Sequence, residues 1–170
     1  MHFLAKISDG LERFVSFIGR AAGWVIFLLI GVTIFDVVTR RFLVLGSTKL
    51  QELEWHFHVI LFICCLGFAL FRDAHVRIEI LRSKFDTRQQ HWVEFLGTLI
   101  LLLPFCGLVI YFGTLYTIDS FVDNETSASA TGLGYRWLIK MFLPFGFLLL
   151  ALGGIATIFK SAIKLFGAAR

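Results

Sequence analysis

The chain has 170 residues, of which 58% are hydrophobic and 16% charged, with a mean hydropathy of +0.82, 20 phenylalanines and a formal net charge of +4. A soluble domain is about 45–50% apolar and about 25% charged, and a small one keeps much of its surface wet. The composition therefore excludes an ordinary soluble enzyme, a disordered chain and a disulfide-stapled secreted module, and it points to an integral helical membrane protein.

With two prolines and no strand-length alternation between turn clusters, the pattern also argues against a transmembrane barrel. The first 20 residues are amphipathic. Leu4, Ile7, Leu11, Phe14, Val15 and Ile18 recur at helical spacing, and Lys6, Asp9, Glu12 and Arg13 fill much of the other side. This predicts a helix in the membrane interface, or else a first span that begins early.

A span takes roughly 20 mostly apolar residues. Four stretches meet that need, over residues 21–38, 52–71, 95–118 and 137–159. The first holds a single charge, Asp36, near its end, and no small-x-small cleavage site follows it, so it is read as retained rather than as a cleaved signal. Ser47 and Thr48, with Gln51 three residues after Thr48, read as the capped start of the second helix. Between the second and third spans, residues 75–85 are expected to form a short interfacial helix, although Val76, Ile78 and Ile80 also alternate as in a strand.

Pro104 and Pro144 fall inside the third and fourth spans, where lipid tolerates a kink. Trp24, Trp55, Trp92 and Trp137 each stand near the start of a span, and Tyr111 and Tyr116 toward the end of the third, as amphipathic rings do at headgroup level. The longest polar connection, 119–136, contains Asp123, Asn124, Glu125, Ser127, Ser129, Thr131, Gly132 and Gly134, and is either a linker or a docking surface.

Lys and Arg set the expected orientation. Lys6, Arg13, Arg20, Arg72, Arg77, Arg82, Lys84, Arg88, Lys160, Lys164 and Arg170 lie on one side, and Arg40, Arg41, Lys49 and Arg136 on the other. This bias places both termini in the cytoplasm. The positive charge is thus read as contact with a lipid surface, with no nucleic-acid partner implied.

Chemistry-bearing motifs are sparse. Cys64, Cys65 and Cys106 lie inside apolar runs without metal or disulfide spacing and read as small buried hydrophobes. His56 and His58, two apart, point to different helix faces, and His91 precedes the third span at the opposite surface, so no bis-histidine haem or metal site is expected. There is no P-loop, dinucleotide turn, serine elbow or zinc helix, and no pair of broken spans of the kind that forms a transport site. No cofactor and no enzymatic activity are expected.

The ionisable groups near span ends are more informative. Asp36 and Arg40, Glu54 and His58, and Asp73 and Arg77 are each four apart, a spacing that favours pairing. They are either snorkelling surface pairs or polar contacts to another membrane protein, with Asp36, Glu52 and Glu54 the candidates. Two rival readings remain beside that of a helix packer. A membrane anchor of a respiratory enzyme would need haem or quinone ligands. A small cation exporter would need a carboxylate deeper in its first span than Asp36.

The stretch from Arg40 to Arg77 resembles the small membrane subunit of TRAP transporters, the tripartite ATP-independent periplasmic family. The likeness runs through Arg40, Arg41 and Phe42, then Gln51, Glu52, Leu53, Glu54 and Trp55, then Gly67, Ala69 and Arg72, and then His75, Val76, Arg77, Ile78 and Glu79. It continues through Glu125, Ser127, Gly132, Leu133, Arg136, Trp137, Lys140, Pro144, Gly146 and Phe147, in the family's order and over nearly the whole chain. Members often carry Asp where Glu79 stands, a change that keeps the charge.

The resemblance implies an all-helical polytopic protein of the bacterial inner membrane with four spans. It would be a non-catalytic subunit of a sodium-coupled transporter for organic acids. Its implied partners are a large multi-span permease subunit, a periplasmic substrate-binding protein and membrane lipid. Candidate contacts with the large subunit are Asp36, Arg40, Glu52, Glu54, Trp55, Arg72 and His75. Candidates for docking the binding protein are Asp123, Glu125, Ser127 and Arg136.

Overall fold

A computed structural model describes residues 2–43, 46–72 and 85–166. The described residues form helices and connecting turns without a strand, and four helical stretches are long and apolar enough to cross a membrane: His2–Phe42, Thr48–Phe71, Thr87–Val122 and Arg136–Phe166. The segment expected at 75–85 falls almost wholly outside the described residues, as do His75 and the Asp73–Arg77 pair.

The first stretch consists of α1 (His2–Gly23) and α2 (Val25–Phe42), joined at Trp24, whose amide bonds the Ala21 carbonyl three residues back. The amphipathic start is therefore continuous with the first span. Its buried positions, Ser8, Val15, Gly19 and Ala22, fall on one helical face. That face packs on two other helices, α3 (Thr48–Phe71) and α7 (Phe142–Phe166). The fit depends on the absence of side chains. Gly19 sits against the Phe68 side chain, and its carbonyl accepts from the Cys65 thiol at 3.5 Å. Ser8, fully buried, donates to the Ala156 carbonyl at 3.0 Å, and Lys160 pairs with Glu12.

Ser47 is the N-cap of α3, and it closes the helix through its carbonyl, which accepts from the Gln51 amide at 3.3 Å. The side-chain capping box expected at Thr48–Gln51 does not form. The third stretch begins earlier than its hydropathy predicts. α4 (Thr87–Gly97) is opened by a capping box of Asp86 and Gln89, with the Asp86 amide donating to Gln89 Oε1 at 3.1 Å. A π turn over Thr98–Leu102 then leads into α5 (Leu103–Val122). Pro104 explains the turn. Its ring lacks an N–H and crowds the carbonyl four residues back, so the ladder shifts to a wider spacing.

The last stretch opens with α6 (Arg136–Lys140), breaks at Met141 and continues as α7. Pro144 lies four residues beyond Lys140 and accounts for that break in the same way.

Helix α7 is the centre of the bundle. One third of the most apolar part of Arg136–Phe166 is buried, against 11% or less in the other three stretches. α3, α1, α5 and α4 pack around it, while α2 rests mainly on α3. The α3–α7 seam is notched from both sides. A Cβ on Gly67 would lie 2.9 Å from the Leu149 carbonyl oxygen, and one on Gly146 would lie 2.7 Å from the Ile63 carbonyl oxygen. Backbone therefore meets backbone across the seam, the close approach that small residues permit between helices in lipid. Leu149, Leu150, Ile63 and Cys64 fill the core beside it. Elsewhere the large apolar side chains point outward, among them Phe27, Phe35, Phe62, Phe105, Phe112 and Phe121.

Candidate partner-binding surface

Two carboxylate-centred clusters stand at the end of the bundle that carries the 123–135 connection, opposite the end that holds the Glu12–Lys160 pair. This connection is ordered by its own turn chemistry. Asn124 takes a positive φ of 47°, which asparagine tolerates. The Glu125 amide donates to the Ser120 carbonyl at 3.0 Å, Ser127 N to the Leu133 carbonyl at 3.1 Å, and Arg136 N to the Glu125 carbonyl at 3.1 Å. Tyr135, exposed, also stands in the left-handed region with φ 57°, an unfavourable place for a bulky side chain.

Glu52 receives this loop. Its Oε1 accepts from the Ser127 hydroxyl and its Oε2 from the Leu133 amide at 2.6 Å. Ser127 Oγ in turn accepts from the Ser129 amide at 3.1 Å, and Thr131 reaches Thr48 at 3.2 Å. Gly132 is required here by crowding, since a Cβ would lie 2.7 Å from Glu52 Oε1 and collide with Ser127. One carboxylate on α3 thus closes a loop about 80 residues away. A second carboxylate fastens the other edge. Glu125 takes the Lys140 ammonium, with Arg136 Nη1 at 3.8 Å, and Lys140 also lies over the Tyr116 ring at 3.7 Å. The hydrogen bond from Lys140, reinforced by the charge of Arg136, holds the Glu125 carboxyl below the usual carboxylate range.

Beside this latch lies a cleft of about 490 Å³ between α2 and α3, lined by Thr33, Asp36, Val37, Arg40, Arg41 and Glu54. Asp36, 2% exposed, pairs with Arg40 through Oδ2. With the Gln51 amide turned so that its oxygen faces the guanidinium, that oxygen accepts from Arg40 Nη2 at 2.8 Å and Nη1 at 3.1 Å. Asp36 Oδ1 and Glu54 Oε1 are buried and receive no hydrogen bond. Glu54 does not turn to His58. The latter lines a separate apolar cleft with Phe62, Tyr116 and Lys140.

The other candidates scatter. Trp55 is exposed on α3. Arg72 caps the opposite end of that helix and stacks 5.2 Å over Phe68. Asp123 is the C-cap of α5. Of the residues read from sequence, the structure brings Glu52 together with Ser127, Glu125 with Arg136, and Asp36, Arg40 and Glu54 with one another. Lys140, Gln51 and Gly132 escaped the sequence reading as working residues. Gln51 reads as a helix cap and all three stand in the motifs of the resemblance, but nothing local marks Lys140, a lysine one turn into an apolar span, or Gly132, a glycine amid small hydroxyls, as a contact. Among the described residues, no three His, Cys, Asp or Glu side chains converge as a metal site.

A bundle with four membrane-length helices, large apolar side chains outward and a carboxylate-locked loop beside a charged cleft at one end, defines an all-helical membrane protein. Residues 29–163 match the family described as tripartite ATP-independent periplasmic transporters, DctQ component. The chain belongs to that family, and so is a small component of a TRAP transporter. No curated protein matches the chain.

Proposed function

We propose that this subunit braces the large permease subunit of a sodium-coupled organic-acid importer in the bacterial inner membrane. In this reading both termini are cytoplasmic, as the distribution of Lys and Arg favours, and the 123–135 loop faces the periplasm, where it helps dock the substrate-binding protein. The subunit takes no part in coordinating substrate or sodium. One observation carries the reading. The membrane-length helices of a transporter component keep their large apolar side chains outward, while two carboxylates, Glu52 and Glu125, fasten one connecting loop into a fixed surface at one end.

A rigid loop is the better docking surface, because ordering it on binding costs less. In proteoliposomes, uptake is expected only when this chain, the large subunit and the binding protein are all present, and the chain is expected to co-purify with the large subunit. Uptake by the large subunit and binding protein alone refutes the proposal, as does transport of a carboxylic acid or sodium by this chain alone.

A further inference from the structure

The cleft between α2 and α3 holds two carboxylates that are incompletely satisfied within the chain. Asp36 is almost wholly buried, yet only Oδ2 has a donor, and Oδ1 has none. Glu54, contributed by the facing helix, presents Oε1 to the same cleft without a donor. The local cations do not complete the set: Arg40 is committed to Asp36 Oδ2 and Gln51, and Arg41, which also lines the cleft, donates to neither free oxygen. Each acid lies six residues inside its helix end, Asp36 before Phe42 and Glu54 after Thr48. At about 1.5 Å per residue this is about 9 Å from those ends.

Buried charge without a donor is costly, and intramembrane ionisable groups face protein. The rim is apolar at Val37, which lines the cleft and is exposed, and the outer face of α2 carries Ile34, Phe35 and Val38, also exposed.

We infer that this cleft is the socket for one cationic side chain, a lysine or arginine, from a helix of the large permease subunit, which donates to Asp36 Oδ1 and Glu54 Oε1 together. The inference rests on the bracing role proposed above. A long side chain fits the site for two reasons. Its aliphatic stem crosses the apolar rim, and its charged head reaches acceptors from two helices at once. Bridging both acids also clamps α2, which has α3 as its main support, between α3 and the partner.

The test measures binding of this chain to its large subunit in nanodiscs. Glu54→Gln leaves the Asp36–Arg40 pair intact and is the primary variant. It is expected to weaken binding by about tenfold to a hundredfold, the range for losing a charge-assisted hydrogen bond, with unchanged helical circular dichroism. Glu54→Lys is expected to abolish binding, and reversal of one Lys or Arg of the large subunit to Glu is expected to restore it. Wild-type affinity in both Glu54→Gln and Asp36→Asn/Glu54→Gln overturns the inference. It is also overturned if the isolated chain is stabilised by sodium chloride over choline chloride, or by phosphatidylethanolamine vesicles, in a manner lost in Glu54→Gln. The occupant would then be an ion or a lipid amine. If the wild-type chain fails to bind the large subunit at all, the bracing role falls and this inference falls with it.

Discussion

Substitution of Gly146 by alanine tests whether the α3–α7 seam holds the bundle together. The added Cβ would stand 2.7 Å from the Ile63 carbonyl oxygen and would also strike the Ile63 side chain. Ile63 cannot swing aside freely, because its β-branched side chain has one strongly preferred rotamer in a helix. The helices must therefore separate by at least about 0.7 Å to relieve the carbonyl contact, and by more to clear the Ile63 Cγ2, which the Cβ would overlap. A gap of about 0.5–1 Å forfeits about a quarter to a half of each contact's dispersion energy, and a buried leucine makes about 40–60 contacts of about 0.1–0.2 kcal/mol. For Leu149 alone, 1% exposed beside the seam, the loss spans about 1–6 kcal/mol and centres on about 2–3 kcal/mol.

Alanine's better helix propensity returns about 0.8–1 kcal/mol, which leaves a net destabilisation of about 1–2 kcal/mol, within the usual range for overpacking. Gly107→Ala provides the control, because a Cβ there meets nothing within 4 Å, and it is expected to be neutral or stabilising by up to about 1 kcal/mol. Reversible unfolding in mixed micelles, titrated with dodecyl sulfate, measures both. A Gly146→Ala protein as stable as the parent would show that backbone contact at this seam is not needed.

Three further outcomes follow from the loop. Glu52→Gln is expected to speed hydrogen exchange at the Ser129 and Leu133 amides by about tenfold, as loss of a charged acceptor does; unchanged protection would show that the loop holds itself. Glu125 has a lowered folded-state pKa, so its contribution to stability is present above the ordinary carboxylate value and is lost as pH falls through the folded value. The difference in melting temperature between wild type and Glu125→Gln should accordingly shrink as the pH drops below about 4, and a difference that grows there would refute the assigned cause. Tyr135→Asn, placed at a position with positive φ, should gain about 0.5–1 kcal/mol by denaturant unfolding, whereas a loss would mean that the ring makes a needed contact.

The four apolar stretches were legible because each is a local run whose length alone meets the thickness of a bilayer. Their ends were less so. Thr87 to Glu94 is too polar to score as part of a span, yet the Asp86–Gln89 capping box starts the third helix there. The Asp36–Arg40 pair could be anticipated, since a spacing of four fixes the geometry within one helix. The same rule failed at Glu54 and His58, because packing of α2 on α3 drew the carboxylate into the cleft. Glu52 was singled out as an acid at a span's start, but its acceptance of Ser127 and Leu133 depends on bringing together positions 75 and 81 residues away. No periodicity encodes such a meeting. Ser8 is a comparable case, since a serine amid charged neighbours gave no sign that it bonds Ala156 inside the bundle.

The clasp formed by Glu52 also bears on how the subunit is made. Its receiving carboxylate emerges from the ribosome early, whereas Ser127 and Leu133 follow only after another complete hairpin arm. During synthesis that carboxylate must wait, hydrated, until the late segment arrives, so the clasp forms among the last steps of assembly. A nascent chain stalled before residue 127 would hold three greasy rods with α2 joined to α3 through Arg40 but with the Glu52 clasp still open.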